Sequence, residues 1–403
     1  MCDIAMDQYA DTRVNLPAVS LMDTQANLIP LGLIAMNGTE QLAEKIDRHM
    51  LEWYYTTYPE CRENELARET FICKATCKRF SSGDAKGQIE QSIRGYDLYM
   101  LSDVGNYSCT YPLCGIQNAM SPDDHYQDLK RIISAVGGKA SRLTVIMPLL
   151  YGGRQHKRVS RESLDAAVSL RELENMGVSG LITFDAHDPR VQNATPLMGF
   201  DNALPTYQML KALLRRCPDI EISKDKLMIV SPDEGAMSRT MFYASVMELN
   251  MGMFYKRRDY SRLVGGRNPI VAHEYLGESV KGRDIFVCDD IISSGESLLS
   301  VASHLKEMGC GRIFLSATYA LFTDGLDAYD KAYEEGLFDV LLSTNLTYQK
   351  PELLARPWYC DVDVSKYVAY FILAMHQNRS ISSMLDPHEK IVMLLEKFKN
   401  SSK

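Results

Sequence analysis

Residues 287–297 read VCDDIISSGES. Two adjacent carboxylates, Asp289 and Asp290, end an apolar run, and Ser293, Ser294, Gly295 and Ser297 follow. A strand, a turn of small residues and a helix N-terminus make an anion cradle, because unpaired backbone N–H groups and the positive helix end converge on one point. The small residues let a phosphate approach the backbone, and their hydroxyls add donors. The helix end alone contributes only about 0.3–2 kcal/mol toward an anion, so several N–H bonds must add to it. The two acids cannot hold a phosphate themselves. A carboxylate accepts paired hydrogen bonds from vicinal hydroxyls, so the combination points to a sugar phosphate. A plain strand and capped helix would explain Ser297 but not the double Asp.

Two more polar clusters follow apolar runs in the same way. DAHD (185–188) comes after GLITF, and SPDEG (231–235) after LMIV. Each alone is ordinary loop chemistry, since loops favour Asp, Ser and Gly. Together they put Asp and His at the carboxyl ends of three strands, where open α/β sheets bind ligands. Two basic islands, RQHKR (154–158) and KRR (256–258), stand against a formal net charge of −8. They read either as anion sites or as solvated charge. Lys256 and Arg258 sit at the root of a glycine-bearing, weakly periodic segment (259–283), which reads as a lid that closes over substrate.

Those clusters need a frame to hold them. From about residue 140 onward, short apolar runs (143–150, 180–184, 227–230, 285–288, 313–321) alternate with helical patterns. Continuous apolar strands separated by helices indicate an α/β fold with a parallel sheet covered on both faces. Helices are expected over 40–58, over 160–177 with Ser160 or Ser163 as cap, over 297–309, and over 388–398. The first 25 or so residues lack periodicity and read as a loose arm. At 403 residues, two domains are expected. Hydrophobic and charged contents of 46% and 24% are those of a globular protein. No apolar run is long enough to span a bilayer, and the N-terminus lacks the basic and apolar regions of a signal peptide. The ten cysteines form no C-x-x-C pair and read as reduced thiols of a cytoplasmic protein. The negative charge argues against nonspecific nucleic-acid binding.

VCDDIISSGES resembles the phosphoribosyl-pyrophosphate loop shared by phosphoribosyltransferases and ribose-phosphate pyrophosphokinases. Five further segments resemble the pyrophosphokinases in order: KRFSSGDAKGQIEQSIRGYDLYML (78–101), YGGRQHKRVSRE (151–162), FDAHDPRVQ (184–192), IVSPDEGAMSR (229–239) and YKRRDY (255–260), with STNLTYQ (343–349) after the loop. Single transferases lack the first half of this series.

The resemblance implies two tandem phosphoribosyltransferase-like domains with parallel sheets flanked by helices. Their bounds would be an arm at 1–27, an ATP-side domain at 28–204, a ribose 5-phosphate domain at 205–387 and a C-terminal helix at 388–403. It implies that Phe80 stacks on adenine, Asp84 binds the adenine amino group, and Arg154 and Gln155 reach the ATP ribose and phosphates. His187 would ligate Mg²⁺ with Asp185 near it, and Asp233 would serve a second metal or the ribose hydroxyls. Asp289, Asp290 and residues 293–297 would hold ribose 5-phosphate, with Lys256 and Arg258 on the transferring group. The implied partners are ATP and ribose 5-phosphate, without membrane or nucleic acid, in a homo-oligomer of hexamer habit.

A silent regulatory homologue would keep the fold and lose essential groups, yet Lys256, Arg258, His187 and both loop acids are present. Five positions depart from the family pattern: Ser82, His156, Ser238, Ser293 and Glu296. A carboxylate about 4 Å from a phosphate charge costs about 4 kcal/mol at an effective dielectric of 20, so Glu296 must point outward.

Overall fold

The computed structural model describes residues 29–63, 67–258 and 270–401; the expected arm over 1–27 lies outside them. Two parallel sheets form the frame. The first orders its strands Leu31–Ala35, Asp97–Leu101, Arg142–Ile146, Gly180–Phe184 and Gly199–Ala203. The second runs Ile270–Gly277, Met251–Arg258, Leu227–Ser231, Asp284–Ile292, Ile313–Ala320, Val340–Thr344, Tyr359–Val362. Helices flank both. The strands Asp97–Leu101, Gly180–Phe184, Leu227–Ser231 and Ile313–Ala320 are buried at every position, as a sheet covered on both faces requires.

Three expectations change in detail. The 143–150 run shortens to Arg142–Ile146, because Pro148 cannot donate to a ladder. The Pro148 carbonyl instead accepts from Thr183 Oγ1 (2.8 Å) and from Phe184 N–H (3.2 Å). The 160–177 helix begins only at Asp165, with Leu164 at its N-cap and no side-chain cap, so neither Ser160 nor Ser163 serves there. The 259–283 segment, read as an irregular lid, includes the edge strand Ile270–Gly277, antiparallel to Met251–Arg258; its residues 259–269 lie outside the described ones. The structure thus gives the root of that segment a ribbon rather than a loop.

The two halves share one core. Leu33, Tyr99 and Phe184 from the first sheet join Phe286, Phe314 and Leu342 from the second, all fully buried. Phe184 meets Tyr367 and Phe371 edge-on, and each such buried side chain contributes about 1.5–3 kcal/mol over exposure. Tyr367 and Phe371 lie on the helix Ser365–His376, which packs on Glu40–Thr57 of the first half. His376 and Arg142 clasp the buried Asp97 from two sides. The 28–204 and 205–387 division remains our proposal for the folding units, with Ser365–His376 crossing back. Among the described residues the cysteines are free, with Cys61, Cys73, Cys217 and Cys288 buried. No described helix is long and apolar enough to cross a membrane.

Asp103 latches a second seam. Its buried carboxylate accepts from Thr347 Oγ1 (2.9 Å) and from the N–H groups of Tyr348 (2.8 Å) and Gly105 (2.9 Å). Burial outweighs those bonds and pushes its pKa up to about 6. Folding therefore favours the protonated form, and its stabilisation, complete below about pH 4, is lost as pH rises through about 6. Asp103→Asn should gain about 3 kcal/mol on the native chain between pH 4 and pH 7. Urea titrations of both proteins across that range check it, and a constant gap between them would refute the shift.

Candidate active site

A cleft of about 410 Å³ opens where the halves meet. Its lining includes residues 104–107, 149–155 and 184–187, then Asp290, Ile291 and Ser293, and Tyr319, Leu321 and Thr323. Each of these segments ends or follows a strand, so five strand ends from both sheets converge, as the clusters at 185 and 289 led us to expect. A larger hollow of about 500 Å³, between Thr206–Arg216 and residues 360–390, shares no lining residue with the cleft and holds none of Asp185, His187, Asp233, Asp289 and Asp290.

The cleft centres on a contact between residues 103 positions apart: His187 Nδ1 lies 2.7 Å from Asp290 Oδ2. The backbone creates this meeting. Asp185, directly after its strand, takes a left-handed turn (φ 46°), and its N–H donates to the Ala203 carbonyl at 2.9 Å. Aspartate tolerates that conformation because its short polar side chain finds local bonds. Asn202 Oδ1 accepts from Ala186 N–H at 2.9 Å and fixes the next residue. The turn directs His187 toward the opposite half.

Asp289 and Asp290 lie inside the C-terminal end of the Asp284–Ile292 strand, not beyond it, since pairing with Ile313–Ala320 continues through Ile292. Their environments drive them apart. Burial and the neighbouring Asp290 charge push Asp289 well above the carboxylate range. Burial would raise Asp290 too, but the His187 bond and the Arg239 charge outweigh it and hold Asp290 low. The same hydrogen bond raises His187, against the effect of its own burial. The two carboxyls are thus driven in opposite directions, Asp289 toward its neutral form and Asp290 toward its charged one.

Asp185 does not face a metal with free oxygens. Arg239 Nε contacts both of its oxygens (2.9 and 2.7 Å) and Thr318 Oγ1 donates to one. Asp233 Oδ1 accepts from the N–H groups of Gly235 (2.9 Å) and Ala236 (3.2 Å), which starts the helix Met237–Met247 carrying Arg239. Among the described residues, no three His, Cys, Asp or Glu side chains close a metal site on their own.

The cradle is present. Gly295 is the N-cap of Glu296–Glu307 at φ 90°, and a Cβ there would lie 2.4 Å from the Tyr329 ring. Tyr329 also donates to the Gly295 carbonyl at 3.0 Å, so only glycine fits. Ser293 lines the cleft, Ser294 and Ser297 are exposed, and Glu296 is exposed in the first turn. Arg154 and Gln155 line the cleft's rim from exposed positions.

Phe80 and Asp84 do not join them. They sit at the turn of the hairpin Ala75–Arg79/Ala85–Ile89, away from the cleft lining, with Phe80 53% exposed. Arg79, paired with Asp128 at 2.9 Å, holds that hairpin to the helix Pro122–Val136. The side chains of Lys256 and Arg258 lie outside the described structure. Sequence reasoning missed Arg239 and Thr318. Arg239 closes the SPDEGAMSR stretch, and Thr318 is, with Ser316, one of two aliphatic hydroxyl residues in a mostly apolar strand, so both left a signal.

Two family models match this chain: the N-terminal domain of ribose phosphate pyrophosphokinase over residues 31–177, and the phosphoribosyl transferase domain over 207–334. With the two sheets, they place it in the class of tandem phosphoribosyltransferase-type α/β proteins. The chain belongs to the ribose-phosphate pyrophosphokinase family. The ribose-phosphate pyrophosphokinase of Vibrio parahaemolyticus is 28% identical over 317 residues, covering 77% of this chain and 91% of that protein. That of Prochlorococcus marinus (strain MIT 9313) is 27% identical over 353 residues, covering 86% and 96%. The crystal structure of phosphoribosylpyrophosphate synthetase from Mycobacterium smegmatis has the same fold, at a TM-score of 0.66 and 18% identity. It covers 87% of this chain and 99% of that one.

Proposed function

We propose that the cleft transfers the diphosphoryl group of ATP to the C1 hydroxyl of ribose 5-phosphate, giving phosphoribosyl pyrophosphate and AMP for nucleotide biosynthesis. The observation that carries this reading is the His187–Asp290 contact across the two halves, beside a cradle that only Gly295 can form.

Residues 293–297 take the 5-phosphate. Asp289 and Asp290 take the ribose hydroxyls, with Asp290 accepting in the charged form toward which His187 and Arg239 hold it. Arg154 and Gln155 reach the ATP ribose and phosphates from the rim. His187, through Nε2, fits Mg²⁺, which fills most of its shell with water and phosphate oxygens, and Asp233 would serve a second ion or the ribose hydroxyls. When bound, the ion offsets charge developing on the phosphoryl oxygens. Asp185 we reassign from metal ligand to the partner that positions Arg239, whose charge helps hold Asp290 low. Phe80 and Asp84, held away from their own cleft, would reach a nucleotide only across a contact between copies. A homo-oligomer, a hexamer by family likeness, and a cytoplasmic setting are parts of the proposal.

No protein nucleophile is needed. The reaction asks for alignment of the sugar hydroxyl with the β-phosphorus and for cations around the transferring group. Purified protein with Mg²⁺, ATP and ribose 5-phosphate should release AMP in step with phosphoribosyl pyrophosphate, and the assay repeated with other nucleoside triphosphates reads donor choice. Binding of ribose 5-phosphate without AMP release would assign the chain to a regulatory role instead.

A further inference from the structure

The strand Ile313–Ala320 grips the first half at its carboxyl end. Thr318 donates to Asp185, and Tyr107 donates across to the Leu321 carbonyl at 2.8 Å. Between them, the Tyr319 hydroxyl lies 2.5 Å from two first-half carbonyls, those of Pro148 and Phe184. A hydroxyl has one hydrogen, which serves one acceptor fully at a time. Pro148 already accepts from Thr183 Oγ1 and Phe184 N–H, so the hydrogen is worth most at Phe184. That carbonyl belongs to the peptide unit whose N–H, on Asp185, donates to the Ala203 carbonyl at 2.9 Å. The peptide that opens the left-handed turn is therefore held at both ends. The first half's own sheet holds its N–H, and the second half holds its carbonyl. Tyr319 lines the cleft, yet it is 1% exposed. Burial pushes its phenol well above the ordinary range, so it keeps the hydrogen that it donates.

We propose that Tyr319 is a positioning residue, which holds the Phe184–Asp185 peptide from the second half and so sets the stance of His187 opposite the sugar-phosphate cradle. The inference rests on the proposed function above, in which the two substrates are held by different halves. His187, Arg154 and Gln155 stand on the first half, whereas Asp289, Asp290 and residues 293–297 stand on the second. Diphosphoryl transfer then depends on how the halves register, and a misplacement of about 1 Å costs about 10²-fold in rate. The His187–Asp290 contact is poorly suited to set that register alone, because both side chains also meet ligands in the cleft. Tyr319 touches neither substrate nor the reacting atoms. It acts through the backbone that leads to His187.

Tyr319→Phe keeps the ring and its packing and removes only the hydroxyl. It should lower kcat for AMP release about 10–100-fold, with KM for ATP and for ribose 5-phosphate each within about twofold of the unaltered chain. Tyr367→Phe is the control. It removes a buried hydroxyl of the same kind, bonded to the Met384 carbonyl at 2.6 Å and outside the cleft lining. That variant should keep its kcat within about twofold, and assays run well below both unfolding midpoints keep stability out of the comparison. Hydrogen exchange, read by mass spectrometry over peptides spanning residues 184–188, reports the turn without catalysis. Exchange there should quicken about tenfold in Tyr319→Phe and stay unchanged in Tyr367→Phe. An unchanged kcat in Tyr319→Phe, an equal fall in both variants, or unchanged exchange over 184–188 overturns the inference and leaves the proposed function standing. A loss confined to KM also overturns it and places Tyr319 in substrate binding. An unaltered chain that binds ribose 5-phosphate but releases no AMP defeats the proposed function, and the positioning role falls with it.

Discussion

Lys256→Ala should lower the single-turnover rate of diphosphoryl transfer by roughly 10²–10³-fold while leaving ribose 5-phosphate affinity near that of the unaltered chain. Backbone geometry supports the placement. Met253 pairs with Ser231, the last residue of the neighbouring strand, so the strand runs on through Arg258 for another five residues. At about 3.3 Å per residue, that overhang is about 17 Å beyond the sheet edge where the Asp233 turn begins. A cation carried on such an overhang meets charge that develops only as the diphosphoryl group moves, so its loss falls on the rate and not on ground-state binding. Rapid-quench measurement of AMP formation, with calorimetry of ribose 5-phosphate binding on the same variant, separates the two. A parallel loss of affinity would place Lys256 in sugar-phosphate binding instead.

The frame was readable because burial on both faces writes itself into a strand as unbroken apolar residues, and LMIV and GLITF carry that mark. The convergence of strand ends was readable for the same reason, since each cluster directly follows such a run. Pairing across the halves was not. Nothing local to His187 says that its partner is Asp290, and nothing in SKYVAYFILAMH says that this helix returns to Glu40–Thr57. Those contacts depend on how two sheets dock, which is a property of the whole core. Side-chain competition was equally hidden. Asp185 sits beside His187 in DAHD and reads as its companion ligand, but a left-handed turn and a buried arginine 54 residues away claim it. The hairpin bearing Phe80 and Asp84 was read through its motif, while its position follows from the pairing of Arg79 with Asp128, a residue that the motif does not include.

Arg239→Met should destabilise the chain by about 3–5 kcal/mol, the range for breaking a buried ion pair from one side. The guanidinium is nearly solvent-free, and its partner Asp185 is 4% exposed. Removing it leaves the Asp185 carboxylate buried with Thr318 as its remaining side-chain donor. The fragility should be mutual. Asp185→Asn keeps a side chain that tolerates the left-handed turn, so the double variant Asp185→Asn with Arg239→Met removes both charges without straining the backbone. It should be more stable than Arg239→Met alone by about 1–3 kcal/mol, a coupling that two separate defects would not show. Denaturant titrations of the four proteins complete the cycle. If the double variant is simply the sum of its parts, the pair is not a structural unit, and the orientation of His187 must come from elsewhere. If the coupling appears, the residue read as a metal ligand is instead the anchor that keeps the first half's turn, the second half's helix and the Asp289–Asp290 strand end in one arrangement.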